Sequence, residues 1–550
     1  MKRQSSAKGF TILSIASIFC KLLAFVYLPI QAILVQDVGN GVISAGYKLY
    51  AFIYNLTNAG FPVLISKFIA ERVELGDYRS TRLIFRNAFR LMLSFGIIAT
   101  LFTYFGSDFL ARWCGMSEAK LMFMCIAPSF LFTSISCSLR GYFQGRSNMT
   151  PTAVSQIIDQ IVNSAMTVAL EIYFFHYAQR MDKNPITYTA AGSALATVLA
   201  AAASAVFLGF IFLFVLRRQR KEECRRQEYD GDTVTSGSVY RRMLRFSIPA
   251  LISCIAASAV DIIDTHSCVS LLIKTGFTSA QAYALFGIYS TKFQRLLTLT
   301  MLFVVPLVTT MMPALSAARV RGDRKYLIQK TRLVYRLNFT VVFPIIAGMT
   351  FLAKPIVTFI FTSQNSGSQM LILGTWTALL MTTQSIQSGL LIALDRPSIA
   401  PVTMLIGMIA KTLCNYLLIP IHALNIYGAL IGNVAAWAIA VTLNHHFIQQ
   451  ALNGRVRVLR YTAVPGLMSA VMGGLCLGVY TLLHLLFGLI WDRMLLVNAL
   501  ALLPSILFGA LVYLKLMAWI GAIGPEDIRM LPMSGRIGRF LFKTPRENEG

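Results

Sequence analysis

Charged side chains are scarce in this sequence, and their scarcity argues against a soluble protein. Asp, Glu, Lys and Arg make up 13% of the 550 residues, whereas 56% are hydrophobic and the mean hydropathy is +0.64. Soluble proteins usually carry about 25% charged residues. Apolar runs of about 20 residues, long enough to cross a bilayer, recur throughout the chain. We therefore expect an all-α, polytopic membrane protein.

Motifs for several kinds of chemistry are also missing. The nine cysteines form no CxxC pair and mostly lie inside apolar runs, which favours small buried side chains over disulfides or metal ligands. The six histidines show no metal-ligand spacing, and no GxxxxGK phosphate-binding loop occurs. The sequence therefore predicts a protein that is not an enzyme and that holds no metal and no cofactor.

Acidic residues are few: 23 Asp and Glu stand against 49 Lys and Arg, which gives a formal net charge of +26. A nucleic-acid partner would account for such a charge, but the basic residues lie in short loops between apolar runs, where a bilayer explains them better. They concentrate at the two ends of the chain and in alternate loops, and excess Lys and Arg mark the cytoplasmic side of a membrane. Both termini are therefore predicted to be cytoplasmic.

The apolar runs define about fourteen predicted transmembrane helices. After the sixth comes a charged and then Gly/Ser-rich segment, 217–244, which we interpret as a basic cytoplasmic linker whose arginines bind anionic lipids. The predicted spans are 9–36, 42–70, 87–112, 119–143, 151–178, 186–216, 245–273, 283–317, 333–361, 368–394, 398–422, 426–453, 460–487 and 494–522.

A faint internal repeat divides the chain. The segments that begin at Pro62 and Pro313 both run from a serine through a basic stretch to Gly-Asp and then to Arg-Leu-x-aromatic-Arg. Both join the second and third spans of their half. Such repeats are typical of alternating-access transporters. We predict two pseudo-symmetric lobes of about six helices each and then the last two spans and a cytoplasmic tail, at 1–216, 245–453, 454–522 and 523–550.

Polar residues recur inside the apolar spans at helical spacing. A polar face that follows a whole span cannot lie against lipid. We expect it to line either a water-filled cavity or a hydrogen-bonded seam between helices. In the fifth span the polar residues step by three or four and so share one face; they are Thr152, Gln156, Asp159, Gln160, Asn163, Thr167 and Glu171.

Basic side chains dominate the candidate cavity faces, which favours an anionic, phosphate-bearing substrate over a cationic drug. The carboxylates are candidates for coupling to a proton or a sodium ion, or for structural ion pairs with the lysines. The candidate substrate-binding residues are Lys21, Lys48, Lys292, Arg295, Asn55 and Asn163. The candidate coupling residues are Asp159, Asp261 and Asp264.

The segment RGYFQGRSNMTPTAVSQIIDQIVN (140–163), a basic loop followed by an apolar helix, resembles a signature of the stage V sporulation protein B group. These are polysaccharide-biosynthesis members of the multidrug/oligosaccharidyl-lipid/polysaccharide (MOP) exporter superfamily. Further matches follow in order over most of 1–453: AGFPVLISKFIAERVELGDY (59–78), DIIDT (261–265), ALFGIYSTKF (284–293) and KTLCNYLLIP (411–420).

The resemblance implies a fourteen-helix, two-lobed flippase, and the family includes MurJ-type proteins that flip lipid II. In that family basic residues of the central cavity meet the diphosphate, and Lys21 and Lys292 match such positions. The sequence departs from the pattern at Tyr54-Asn55, where some lipid II flippases have arginines, and at Asn163, where many members have Arg. A smaller cationic set leaves room for a different lipid-linked glycan.

The expected function is the movement of an undecaprenyl-diphosphate-linked cell-wall precursor, lipid II or another polysaccharide precursor, across the bacterial cytoplasmic membrane by alternating access. Expected partners are the lipid-linked glycan, anionic membrane lipids and cell-wall synthesis enzymes, but no nucleic acid. Na⁺, H⁺ or the membrane potential would drive the movement.

Two rivals remain. A cation-coupled multidrug exporter of the same superfamily would depend on the three aspartates, and a membrane scaffold for cell-wall enzymes would pack its polar stripes tightly. A lipid-synthesis enzyme would need clustered carboxylates or a His-rich cytoplasmic loop, which the sequence lacks.

Overall fold

The computed structural model describes residues 27–58, 61–223, 260–361, 366–453, 458–492 and 494–521, with isolated positions 16, 19, 20, 23, 237, 241, 255, 258 and 456. Over these residues the secondary structure consists of α-helices and short 3-10 and π-helical turns, without a β-strand. The predicted all-α class is confirmed.

We number the helices along the described chain. The first ten are α1 Leu28–Asn58, α2 Phe61–Glu74, α3 Tyr78–Phe105, α4 Ser107–Trp113, α5 Lys120–Ile126, α6 Ser129–Gly145, α7 Thr150–Arg180, α8 Pro185–Glu223, α9 260–274 and α10 Ser279–Gly287. The others are α11 Met301–Val320, α12 Arg324–Phe351, α13 Ala353–Phe361, α14 Ser368–Gly374, α15 Thr377–Ala393, α16 Ile399–Leu418, α17 Tyr427–Leu452, α18 Ala463–Gly488 and α19 Met494–Trp519.

Several helices have the length and composition of membrane spans. Among the described residues eight pass this test, or nine if the 3-10 turn with α5 and the following α6, bent by 43° from each other, count as one broken span. The outer faces of α18 and α19 expose leucines such as Leu485 and Leu507, which hydrocarbon tolerates and water does not. The chain is therefore a multi-pass membrane protein, and the count of fourteen spans stays a prediction.

The first two predicted spans do not separate where the sequence suggested. The expected loop at 37–41 lies inside α1, which breaks instead at Gln36, a residue with φ +52° and ψ −160°. The side chain of Asn40 donates to the Gln36 carbonyl oxygen at 2.7 Å and so satisfies a backbone group next to the break. Gly41, inside the expected loop, permits close packing: a Cβ there would overlap the Tyr283 carbonyl oxygen.

The two copies of the sequence repeat fold into the same turn. Gly76 and Gly322 end their helices with φ of +74° and +71°, a region that glycine enters at little cost. Asp77 and Asp323 then cap the following helices, since their carboxylates accept from the backbone N–H three residues on at 2.9 and 3.0 Å. The Gly-Asp pair therefore stops one helix and starts the next in both halves.

Pro344 interrupts the backbone hydrogen bonding of α12, and Tyr513 of α19 compensates for it. Pro344 has no N–H, so the carbonyl of Thr340 loses its usual helical donor. The hydroxyl of Tyr513 on α19 donates to this carbonyl oxygen at 2.7 Å in a buried position. A side chain thus replaces the missing backbone bond where lipid could not supply a donor.

The chain divides into two compact units. The first unit comprises Met1–Gly287 and Asn415–Ala429, and the second comprises Ile288–Cys414 and Leu430–Gly550. A core cluster of the first unit joins α2, α3, α6 and α8 through Phe61, Ile65, Phe68, Ile69, Ile84, Ala88, Met92, Leu139, Tyr142, Phe143 and Leu208. A core cluster of the second unit lies around α12, α18 and α19 and contains Ala347, Leu352, Met472, Cys476, Leu502, Tyr513 and Met517. The lobe boundaries expected from the sequence stay a prediction.

Candidate functional site

Two predicted site residues of the first unit form an ion pair. The Lys48 ammonium on α1 lies 3.3 Å from a carboxylate oxygen of Asp261 on α9, and 5.3 Å from the centre of the Phe286 ring. The lysine side chain is 14% exposed and the aspartate side chain 50%. A pair with one half-exposed partner usually contributes little to stability.

Asp264 occupies a more enclosed position one turn further along α9. It is fully buried and accepts a hydrogen bond from the Asn415 amide at 3.1 Å. The same amide nitrogen donates to the Ser267 hydroxyl at 2.8 Å. Burial of a carboxylate is costly, and hydrogen bonds of this kind offset part of the cost.

The polar stripe of α7 lies against protein. Thr152, Thr167 and Glu171 are buried, and the stripe positions between them are half-buried. At one end the Gln31 side chain of α1 donates to the Glu171 carboxylate at 2.7 Å. In the middle, Asn163 accepts from the Thr197 hydroxyl of α8 at 3.4 Å. The stripe therefore contacts α1 and α8 at these positions, and its separation from lipid stays a prediction.

The remaining candidates of the first unit are distributed along the same helices. Asn55 on α1 donates to the Ser258 hydroxyl at 3.0 Å. Asp159 lies half-buried in the middle of the α7 stripe. Lys21 lies outside the described residues, so its predicted role stays a prediction.

Lys292 is the enclosed cation of the second unit. It lies on the π-helical segment Ile288–Gln294 that continues from α10, and its side chain is 1% exposed. Its ammonium donates to the Ser366 hydroxyl at 2.6 Å and to the Ser366 carbonyl oxygen at 3.1 Å. The Phe361 ring covers it, with 5.7 Å between the ammonium and the ring centre. Segments of π-helix inside α-helices frequently mark functional sites.

A second buried lysine belongs to a polar network in the same unit. Lys411 on α16 is 0% exposed and donates to the side-chain oxygen of Asn433 on α17. The amide nitrogen of Asn433 in turn donates to the Tyr289 hydroxyl at 2.6 Å, and Gln294 donates to the same hydroxyl at 3.2 Å. The π-helical segment thus contributes to two lysine environments, one through Tyr289 and one through Lys292 itself.

Arg295 follows this segment directly. Its side chain is half-buried, and its buried Nη1 has no hydrogen-bond partner among the described residues. A guanidinium N–H in that state can donate a hydrogen bond to an anionic oxygen without giving up an existing bond at that atom.

Comparison with known proteins identifies the family. The family model described as "Polysaccharide biosynthesis protein" matches residues 6–319, more than half of the chain. The chain belongs to this family. The resemblance proposed from the 140–163 signature is thereby confirmed.

Three relatives from Bacillus subtilis (strain 168) extend the similarity over most of the chain. The uncharacterized membrane protein YabM is 26% identical over 556 residues, covering 100% of this chain and 99% of the relative. Stage V sporulation protein B is 24% identical over 552 residues, covering 98% and 99%. The lipid II flippase MurJ is 23% identical over 489 residues, covering 85% and 87%.

Solved structures support the fold. An inward-facing multidrug resistance MATE family transporter of the MOP superfamily has a TM-score of 0.59 at 16% identity, covering 80% of this chain and 99% of its own. The lipid II flippase MurJ in an inward closed conformation has a TM-score of 0.58 at 15% identity, covering 93% and 98%. At such identities the similarity shows the fold of this polysaccharide biosynthesis protein and no more.

Two basic residues of this family member escaped the sequence reasoning. Lys411 lies well inside an apolar span, which is the same signal that identified Lys292, but it was noted only as part of a motif. Arg140 lies inside the predicted span 119–143 and also opens the segment described as a basic loop, but it was not chosen as a site candidate; in the structure α6 continues to Gly145 and contains it. Its guanidinium donates to the hydroxyls of Ser155 and Ser204, each at 3.0 Å, and so joins α6 to α7 and α8.

Proposed function

We propose that this protein is a flippase for a lipid-linked polysaccharide precursor. The substrate would be an undecaprenyl-diphosphate-linked saccharide, carried from the inner to the outer leaflet of the bacterial cytoplasmic membrane by alternating access, with both termini cytoplasmic. Membership in the polysaccharide biosynthesis family supports this class of substrate, and relatives include a lipid II flippase.

The observation that carries the proposal is the burial of Lys292 within a membrane protein. An ammonium held away from water is costly, typically by several kcal/mol, so membrane helices rarely keep one without a functional reason. Here the fully enclosed ammonium is held by serine oxygens and a ring face. Such a cation suits a diphosphate, which requires a positive environment to cross hydrocarbon while its lipid tail stays in the bilayer.

The neighbouring Arg295 strengthens the choice of an anionic headgroup. Its buried Nη1 without a described partner lies one helical turn from Lys292, so both cations can approach one phosphate group from the same stretch of helix. Lys48 of the first unit, with Lys21, would contribute further positive charge, while Asn55 and Asn163 would bond the sugar or phosphate oxygens. Asp159, Asp261 and Asp264 would couple the movement to Na⁺, H⁺ or the membrane potential.

Lipid II is one member of the proposed substrate class. Neutral Asn55 and Asn163 carry no positive charge for a phosphate but suit sugar hydroxyls, so we propose a lipid-linked glycan without restricting it to lipid II. Anionic membrane lipids would bind the 217–244 linker, and cell-wall synthesis enzymes would receive the product.

Reconstitution tests the proposal directly. Purified protein in liposomes would be given fluorescent lipid II and a second fluorescent undecaprenyl-diphosphate glycan, and a membrane-impermeant quencher would report the leaflet of each. We expect protein-dependent movement of at least one of them and none of a fluorescent phosphatidylcholine. Equal quenching with and without protein for both glycans would reject the proposal, and efflux of cationic dyes that depends on the aspartates would favour the multidrug exporter.

A further inference from the structure

Both oxygens of Ser366 accept hydrogen bonds from the Lys292 ammonium, the group that would bind a phosphate oxygen on the proposed function. The Ser366 hydroxyl lies 2.6 Å and its carbonyl oxygen 3.1 Å from the ammonium nitrogen. Hydrogen bonds from a charged donor are about twice as strong as neutral ones. An ammonium has three donors, so an incoming diphosphate that binds Lys292 through several oxygens must compete with this serine.

Glycine at position 367 makes this contact possible. Gly367 has φ +97°, in the left-handed region that disfavours other residues. A Cβ at this position would lie 2.8 Å from Cγ2 of Ile288 and 3.4 Å from Cδ of Lys292. The backbone therefore rests on the lysine stem itself, immediately before α14 begins at Ser368, and a larger residue would push Ser366 away from the ammonium.

Ser366, Gly367 and the Phe361 ring enclose the Lys292 side chain. The ring centre lies 5.7 Å from the ammonium, a distance at which the aromatic face attracts a cation. On the proposed function, an enclosed Lys292 and a Lys292 bound to the substrate phosphate are alternative arrangements. When a binding-competent state is only a fraction of the population, the apparent Kd rises in inverse proportion to that fraction.

We propose that Ser366 is a positioning residue that competes with the substrate diphosphate for Lys292 and thereby promotes headgroup release. The inference rests on the proposed function, and on the proposed topology Ser366 lies between the ninth and tenth predicted spans, on the outer side. A serine that reclaims the ammonium there lowers the affinity for the product where the product must leave. Ser366 makes no contact with the substrate in this role; it acts through Lys292.

The test measures binding of undecaprenyl diphosphate to the full chain in lipid nanodiscs, with undecaprenol as the uncharged control. We expect Ser366→Ala to tighten the apparent Kd by about three- to tenfold, because one charged hydrogen bond that opposes binding is removed. Ser366→Thr, which keeps a hydroxyl, should return the Kd to within about twofold of the unchanged protein. In a Lys292→Gln background Ser366→Ala should have no effect.

A ligand-free measurement accompanies the titration. Amine-selective acylation of Lys292, followed by mass spectrometry, should be faster in Ser366→Ala and in Gly367→Ala than in the unchanged protein. An unchanged Kd and unchanged acylation in folded Ser366→Ala would overturn the role of Ser366 while leaving the flippase proposal intact, as would tightening that persists with Lys292→Gln. Failure of the unchanged protein to bind undecaprenyl diphosphate would overturn both.

Discussion

Lys48 and Asp261 share an ion pair of 3.3 Å between α1 and α9. Sequence reasoning made the lysine a candidate for substrate binding and the aspartate a candidate for coupling, and it left open a structural ion pair between them. On the proposed function, a phosphate that binds Lys48 would compete with Asp261, and the half-exposed Asp261 carboxylate would then be available to a cation. Substrate and coupling ion would in this way exchange at one pair.

Removing either charge of the Lys48–Asp261 pair should reduce flipping much more than it reduces the free energy of unfolding. Asp261→Asn and Lys48→Gln are each expected to lower the free energy of unfolding by no more than about 1 kcal/mol, because one partner is half-exposed to solvent. Flipping should fall much more than stability in both variants. Thermal unfolding in detergent and the quencher assay measure the two effects. Large losses of stability from either substitution would show that the pair is structural.

Lys21 and Lys292 are expected to act together on the headgroup. Replacing both with Gln should abolish flipping while the protein remains folded, since two cations that stabilise a diphosphate are lost. Lys354→Gln is the matched control, because Lys354 lies exposed at the start of α13 and is assigned no contact with substrate. Headgroup translocation that continues at the control rate in the double variant would exclude both lysines.

Features set by neighbouring residues were predictable, and those set by distant packing were not. The Gly-Asp turns at Gly76 and Gly322 follow from local chemistry and occur in both halves. The helical course of α1 through 37–41 is accompanied by close contacts with α10 at Gly41, which a reading of the local sequence could not include, so a loop was expected there. A glycine that starts a turn and one that permits close packing are identical within a short window of sequence.

The candidate site shows the same division. Polar spacing in the fifth span correctly indicated a single helix that carries the stripe, because helical periodicity is local. The partner of Lys292 could not be anticipated, since Ser366 lies far along the chain and its approach depends on the backbone of Gly367. Lys411 was detectable, because a lysine deep in an apolar span is itself a signal.

The two aspartate caps offer a matched comparison between halves. Asp77→Ala should lower the free energy of unfolding by about 1–2 kcal/mol, because the buried carboxylate caps α3 and also lies 3.5 Å from Arg72. Asp323→Ala should cost less, about 0.5–1 kcal/mol, since that carboxylate is exposed. Denaturant unfolding of both variants checks the order. If the two variants lost equal free energy of unfolding, or Asp323→Ala lost more, burial of Asp77 would not explain the difference between the caps.

The buried amide of Asn433 should matter for stability because it accepts from Lys411 and donates to Tyr289. Asn433→Leu is expected to cost about 1–3 kcal/mol, since a fully buried ammonium loses an acceptor. Adding Lys411→Met should recover part of the loss, because the buried charge is then gone. Unfolding midpoints of the single and double variants provide the measurement, and additive losses would show that the two side chains act independently.

Gly41 and Gly287 set how closely α1 and α10 approach. A Cβ on Gly41 would overlap the Tyr283 carbonyl oxygen, and one on Gly287 would overlap the Asp37 carbonyl oxygen. Backbone atoms cannot move aside as a flexible side chain can, so Gly41→Ala and Gly287→Ala should each force the helices apart and lower the unfolding temperature clearly. The control is Gly474→Ala on α18.

At position 474 no atom lies within 4 Å of the added methyl group, so alanine should raise stability by up to about 1 kcal/mol through its higher helix propensity. The same Gly→Ala substitution is made at all three positions, each within or at the end of a helix. A loss of stability therefore indicates a packing clash, and a gain indicates the effect of helix propensity. Thermal unfolding in one detergent gives all three values. A gain in stability from Gly41→Ala would mean that α1 and α10 are not in contact at Gly41. The path of α1 would then be determined by the break at Gln36 and not by contact with α10.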